Sequence, residues 1–111
     1  MNKASEIAQA LELTVFCQGE GEREVRGGYA GDLLSWVMGR AQPEDAWVTI
    51  MSNVNVAAVA HLTDVSMVIL AEDVKPDDAL LQRAENEGMN LYGSSLSAFE
   101  LCWRLRALMA E

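Results

Sequence analysis

The segment from Val65 to Ala71 reads Val-Ser-Met-Val-Ile-Leu-Ala, a near-continuous apolar run. That pattern is expected of a parallel strand covered on both faces, because neither side can be left to water. The flanking sequence supplies the rest of such an arrangement. Ala46 to Met51 is strand-like and leads to an Ala-rich helix, Val56 to Leu62, with Asn55 as its cap. Small residues in that helix let its backbone approach a sheet closely. After the apolar run, Pro76-Asp77-Asp78 opens a helix that carries Leu80, Leu81 and Ala84 inward and stops at Gly88. Met89 to Tyr92 is a short strand. Ser97-Ala98-Phe99-Glu100 is a capping-box pattern that opens a last helix running almost to Glu111. Strand followed by helix thus recurs in units of about 25 residues, the signature of parallel strands joined by crossovers.

The first half is less regular. Ser5 to Ala10 is helix-prone. Leu11, Leu13, Val15 and Cys17 alternate and predict a strand over 11–17. Gly19 to Gly28 is polar and holds four of the eight glycines, so it reads as a turn, with a short edge strand around Glu24 to Arg26. Asp32 precedes Leu33-Leu34 and Val37-Met38, a helix start with an N-cap carboxylate and an apolar stripe. The expected fold is α/β: a three-layer domain with a mostly parallel sheet of four or five strands. The pattern does not give the strand order.

The chain is 111 residues long, enough for one domain spanning 1–111 with a single core. Its formal charge of −9 argues against a nucleic-acid duplex or an anionic membrane as partner, since both reward Lys and Arg. Cys17 and Cys102 lie far apart in sequence, and His61 is the one histidine, so a structural zinc site of about four ligands is not available. No signal-peptide pattern opens the sequence, and no apolar stretch approaches the roughly 20 residues that span a bilayer. The expectation is a reduced, soluble, cytoplasmic protein.

The segment Gly28-Tyr29-Ala30-Gly31-Asp32-Leu33-Leu34-Ser35-Trp36-Val37-Met38 resembles the DRTGG-domain family. The resemblance continues through Trp47-Val48-Thr49-Ile50, Asn55-Val56-Ala57-Ala58-Val59-Ala60, Val68-Ile69-Leu70, the Pro76-Asp77 helix start and Ala84 to Leu91. It covers most of the chain, from about Glu6 to Leu105, and is closest to the small stand-alone members. It implies a fold like the N-terminal domain of HPr kinases and a tendency to form homodimers. It also implies kinship with a module of some phosphotransacetylases and CBS-containing pyrophosphatases, where catalysis lies in other domains. Beside CBS domains that module is associated with adenine-nucleotide regulation. The pentapeptide that names the family is absent: its Asp-Arg half falls near Ser52-Asn53, and its Thr-Gly-Gly half near Ala71-Glu72-Asp73.

Ligands of open parallel sheets bind beyond the carboxyl ends of the strands. The loops expected there carry Ser52, Asn53 and Asn55, then Glu72, Asp73 and Asp77, then Ser94, Ser95 and Ser97. Three helix N-termini aim their free N–H groups at the same region, a geometry suited to phosphate or carboxylate. Asn55, Asp77 and Ser97 are equally ordinary helix caps. The uncharged Gly93 to Ser97 loop is the best anion candidate, because Glu72 and Asp73 repel an anion and Lys75 is the only nearby cation. Asp32 is a further ligand-facing carboxylate or a cap. His61 has no partner at catalytic spacing, Cys17 and Cys102 fit as small apolar fillers, and Glu20, Glu22 and Glu24 read as a solvated turn.

The last helix is apolar on more than one face. One face can take the sheet; the other needs a partner chain or the N-terminal helix. Phe99, Trp103 and Arg106 are the candidate dimer-interface residues, being of interface-enriched types or beside them. The leading expectation is a non-catalytic regulatory or scaffold module, homodimeric, that binds a small ligand or a cytoplasmic protein such as a regulated enzyme or kinase. The alternatives are an adenine-nucleotide sensor and a small enzyme using His61 or Asp32. The sequence assigns no catalytic residue, metal or cofactor.

Overall fold

The computed structural model describes residues 2–110. Its elements are α1 (Ala4–Ala10), β1 (Thr14–Cys17), β2 (Gly27–Ala30), α2 (Leu34–Arg40), β3 (Asp45–Thr49), α3 (Asn55–Thr63), β4 (Met67–Leu70), α4 (Asp78–Glu87), β5 (Leu91–Gly93) and α5 (Ala98–Met109). They form one five-stranded sheet in the order β1-β5-β4-β3-β2. β2, β3, β4 and β5 are mutually parallel, and β1 joins β5 antiparallel. The α/β class and the mostly parallel sheet are therefore as the sequence predicts.

The period-two alternation of the strands sorts the core into two layers. Ala46 and Val48 of β3, Met67 and Ile69 of β4, and Tyr92 of β5 face α1 and α5, packing with Ala4, Ile7, Ala8, Leu101 and Leu105. Trp47, Val68, Leu70 and Leu91 face the other way, against Val37 of α2, Val56, Val59 and Ala60 of α3, and Leu80 and Ala84 of α4. Every residue of β3 and β4 is buried, which explains why the apolar run over 65–71 is continuous.

Several helix signals act as expected. Asp77 caps α4 by accepting from the Leu80 N–H at 2.9 Å, and Gly88 ends that helix in the left-handed region at φ 65°. Ser97 caps α5 by accepting from the Glu100 N–H at 3.1 Å. The reciprocal half of that capping box is not formed. The Glu100 carboxylate turns forward along the helix to accept from Trp103 Nε1 and Arg104 Nε, and Arg104 holds its carboxyl below the usual range.

Four expectations differ from the structure. β2 covers Gly27–Ala30 rather than Glu24 to Arg26; Glu24 forms an isolated antiparallel bridge with Lys3. Two glycines carry no apolar alternation, so this strand had no pattern to read. β1 is shorter than 11–17, because Leu11 ends α1 and Glu12 turns the chain at φ 54°. A register shift between Val15 and Cys17 then leaves Val15 exposed and lays the Phe16 ring over Gly93, where a Cβ would sit 2.5 Å from that ring. Asp32 does not cap α2, whose N-cap is Leu33. Nor does Asn55 cap α3: it is the first helical residue, and its N–H donates to Asn53 Oδ1 at 2.9 Å.

Asn90 ties the strands to the Gly19–Gly21 turn. It is buried, donates to the Glu20 and Ser66 carbonyls, and accepts from the Gly19 N–H. The turn runs so close to the end of α4 that a Cβ on Gly19 would lie 1.8 Å from the Gly88 carbonyl oxygen. By contrast, a Cβ on Gly39 in α2 meets nothing within 4 Å. Chemical denaturation of the two alanine variants is expected to separate them. Gly39→Ala gains about 0.5–1 kcal/mol from reduced unfolded-state freedom; Gly19→Ala loses about 3 kcal/mol or more, since backbone must move.

Tyr92 supplies a pH test. Its ring is buried and its hydroxyl donates to Gln18 Oε1 at 2.9 Å. Burial pushes its pKa up to about 12. The folded state thus holds this proton more tightly than the unfolded chain. The stabilisation is complete below about pH 10, the ordinary tyrosine value, and is lost as pH rises towards about 12. Ultraviolet titration should show Tyr92 ionising together with alkaline unfolding, and Tyr92→Phe should weaken that pH dependence.

Candidate functional site

The parallel strands β2, β3, β4 and β5 all deliver their carboxyl ends to the same end of the sheet. The residues expected there fall into two clusters. The first is built around Asp32, just past β2. Its carboxylate accepts from Thr49 Oγ1 at 2.8 Å and from the Ile50 N–H at 2.9 Å. Both donors lie at the carboxyl end of β3. The carboxylate satisfies two donors there, against the single one a cap on α2 would have reached. Thr49 Oγ1 in turn accepts from the Met51 N–H. Next in the chain, the Ser52 carbonyl accepts from the Asp77 N–H at 3.0 Å, which joins this cluster to the start of α4. Asn53 turns the backbone into α3 through its bond to the Asn55 N–H, and the Asn55 side chain is exposed.

The second cluster joins the loop after β4 to the loop after β5. The Glu72 N–H donates to the Leu96 carbonyl at 2.8 Å and the Asp73 N–H to the Ser94 carbonyl at 2.9 Å. Ser94 Oγ accepts from the Leu96 N–H, closing the turn, while Ser95 is exposed beside it. The Glu72 carboxylate reaches the N-terminus of α5 and accepts from the Ala98 N–H at 2.9 Å. Together with Ser97 it satisfies N–H groups that would otherwise face an anion, and it places a negative charge at the positive end of the helix dipole. Sequence reasoning treated Glu72 only as a source of repulsion. Its sequence separation of 26 residues from Ala98 hides this role.

Glu72 and Asp73 have φ of 61° and 63°, the left-handed conformation that glycine adopts without strain. Lys75 does not face the cluster's centre but pairs with Asp73 at 2.7 Å.

The remaining candidates lie elsewhere. His61 is exposed near the end of α3, beside a cavity of about 280 Å³ that also has Arg23, Asp64, Ser66 and Asn90 on its walls. That cavity is at the amino end of β4, the opposite end of the sheet from Asp32, so His61 and Asp32 do not share a site. Among the described residues no group of three or more His, Cys, Asp or Glu side chains is arranged to hold a metal ion. Burial pushes the thiols of Cys17 and Cys102 up, which keeps them protonated and unreactive. Among the described residues no helix is long and apolar enough to cross a membrane.

On α5, α1 does cover part of the second face, through Ala4, Ile7 and Ala8. Phe99 nevertheless remains 81% exposed and Trp103 53%. Arg106 lies two turns beyond Phe99 and is exposed too.

No protein-family model matches the chain, and no curated protein does. A solved structure shares the fold. The chain superimposes on the crystal structure of the CBS and DRTGG domains of the regulatory region of Clostridium perfringens pyrophosphatase, complexed with its activator diadenosine tetraphosphate. The TM-score is 0.70 at 11% identity. The match takes in 94% of this chain and 46% of that one, so the chain spans about half of the region it resembles. The DRTGG-like fold expected from the sequence is thus supported at the level of fold.

The left-handed pair provides a test. Asp73→Gly should raise stability by about 1 kcal/mol, because it relieves strain and removes only an exposed ion pair. Glu72→Gly relieves similar strain but strips α5 of its carboxylate, an opposing loss of about 0.3–1 kcal/mol. Denaturation midpoints should therefore rank Asp73→Gly above Glu72→Gly, with the wild type lowest or equal to the latter.

Proposed function

We propose that this chain is a non-catalytic regulatory or scaffold module of the cytoplasm, a relative of the DRTGG domains. The observation that carries this reading is the superposition of nearly the whole chain on the regulatory region of a pyrophosphatase. The clusters described above support it. Asp32, Thr49, Glu72 and Ser97 use their acceptors to fix loops and helix ends. A small ligand would sit at the carboxyl end of the sheet, among Asp32, Ser52, Asn53, Asn55, Ser94, Ser95 and Ser97. The exposed stripe of Phe99 and Trp103, with Arg106 at its rim, would be the homodimer interface. A regulated enzyme or kinase would read the ligand state through the same module.

A second reading, an adenine-nucleotide sensor, is favoured by the diadenosine tetraphosphate activator of the similar structure. The acids Glu72, Asp73 and Asp77 oppose polyphosphate binding near α4 and α5 unless a cation accompanies it. The Ser94–Ser95 turn is the place left for it.

Thermal unfolding with diadenosine tetraphosphate, ATP and AMP, each with and without magnesium, tests this. On the sensor reading one of them stabilises the fold, by about 2.7 kcal/mol at 100 times its dissociation constant. No shift at millimolar ligand would remove that reading and leave the regulatory one. Sedimentation tests the interface: a dimer that Trp103→Glu converts to a monomer is expected.

A further inference from the structure

β2 is a terminal strand of the sheet, and its outer edge is open. Ahead of it, Asn2 to Ala4 pair with Arg23 to Val25, so the chain's own start covers the approach to β2 but not Gly27–Ala30. Natural sheets protect such edges with Lys, Pro or a bulge, because the free N–H and C=O groups template another strand. This edge has none of those.

A groove of about 650 Å³ runs beside the edge, between β2 and α5. Its origin is plain in the sequence. Arg26, Gly28 and Ala30 alternate towards α5; the position of a Gly28 Cβ is 3.9 Å from Leu105. Two of these three side chains are the smallest available, so the space under α5 stays unfilled. The floor is Gly28, Ala30, Ala46 and Val48, and the α5 wall includes Leu105 and Arg106. Of the eight Lys and Arg residues, six pair with an acid and Arg40 stacks on Trp36. Among the described residues Arg106 alone has neither kind of partner, in a chain with a formal charge of −9.

We propose that this groove docks an extended segment of a partner protein, which adds a strand to β2 and carries bulky apolar side chains and a carboxylate on its groove-facing side. The open edge supplies main-chain hydrogen bonds, the groove takes alternate side chains, and Arg106 receives the carboxylate. A second copy fits less well. Its own β2 would bring Gly28 and Ala30 to a groove that needs bulk, and the adjoining Arg26 to a place that needs an acid. The inference deepens the regulatory reading by giving the protein partner a chemistry.

The probe is an end-blocked, fluorescein-labelled heptapeptide, Thr-Val-Thr-Glu-Thr-Val-Thr, whose valines and glutamate share one strand face. Fluorescence anisotropy should show saturable binding. Exchanging its glutamate for lysine should weaken binding about tenfold, and Arg106→Glu should reverse that preference. Gly28→Val should abolish binding by filling the groove. Its thermal midpoint should not fall, since valine favours a strand, its Cβ meets only ordinary contacts and the groove has room for its methyl groups. No saturation by about 1 mM peptide, or binding indifferent to Gly28→Val, overturns the proposal. So does sedimentation in which Gly28→Val dissociates a dimer, because the groove then belongs to a second copy. Failure here leaves any nucleotide stabilisation of the wild type intact, and absence of nucleotide stabilisation leaves peptide binding intact.

Discussion

The fold depends on one topological constraint: after β1 the chain crosses the sheet in a single direction, which the order β5-β4-β3-β2 records. Each step joins adjacent parallel strands through one helix. Crossovers of one hand that step in one direction must all lie on the same face. That is where α2, α3 and α4 are found, packed on Trp47, Val68, Leu70 and Leu91. The opposite face has no crossover to cover it. The apolar residues there, Ala46, Val48, Met67, Ile69 and Tyr92, leave the terminal helices α1 and α5 as the available cover. The full burial of β4 is therefore a joint product of the chain's middle and its two ends.

This division has a consequence at the edge. Three helices serve one face, but α1, with seven residues, and α5, with 12, must serve the other. Their side chains belong to one core layer, in which Ile7, Leu101 and Leu105 pack with Ile69 and Tyr92. Between α5 and β2, Gly28 and Ala30 do nothing to fill the space. A larger residue at either position would extend the core by ordinary burial. The small residues thus leave apolar surface and backbone available, and Arg106 sets the sign of charge that suits the space.

The sequence pattern carried the buried strands and the helices that end in strong local signals. Val65 to Ala71 announced β4 because both of its faces are apolar, and Asp77 and Gly88 bracket α4 because capping is local chemistry. β2 was illegible for the opposite reason: at an edge, built partly from glycine, a strand is held by its neighbour's backbone and leaves no alternation. Asp32 and Asn55 were misread as caps because the competing partners come from distant or adjacent turns. Thr49 and Ile50 outbid the α2 terminus for Asp32, and Asn53 already serves α3. The convergence of the candidate loops followed from parallel strands alone. Their actual bonding, Glu72 to α5 above all, depended on strand order, which no local pattern encodes.

Glu72 changes what the carboxyl end of this sheet can do. In a parallel α/β sheet the helix N-termini there attract anions. In this chain one of those N-termini already holds an anion of its own, fixed by a backbone bond to Leu96 and by its left-handed conformation. An incoming phosphate at α5 must displace a carboxylate that costs no loss of translational freedom to keep in place. With Asp73 and Asp77 adding charge to the same loops, this end of the sheet repels a polyanion that arrives without its cations.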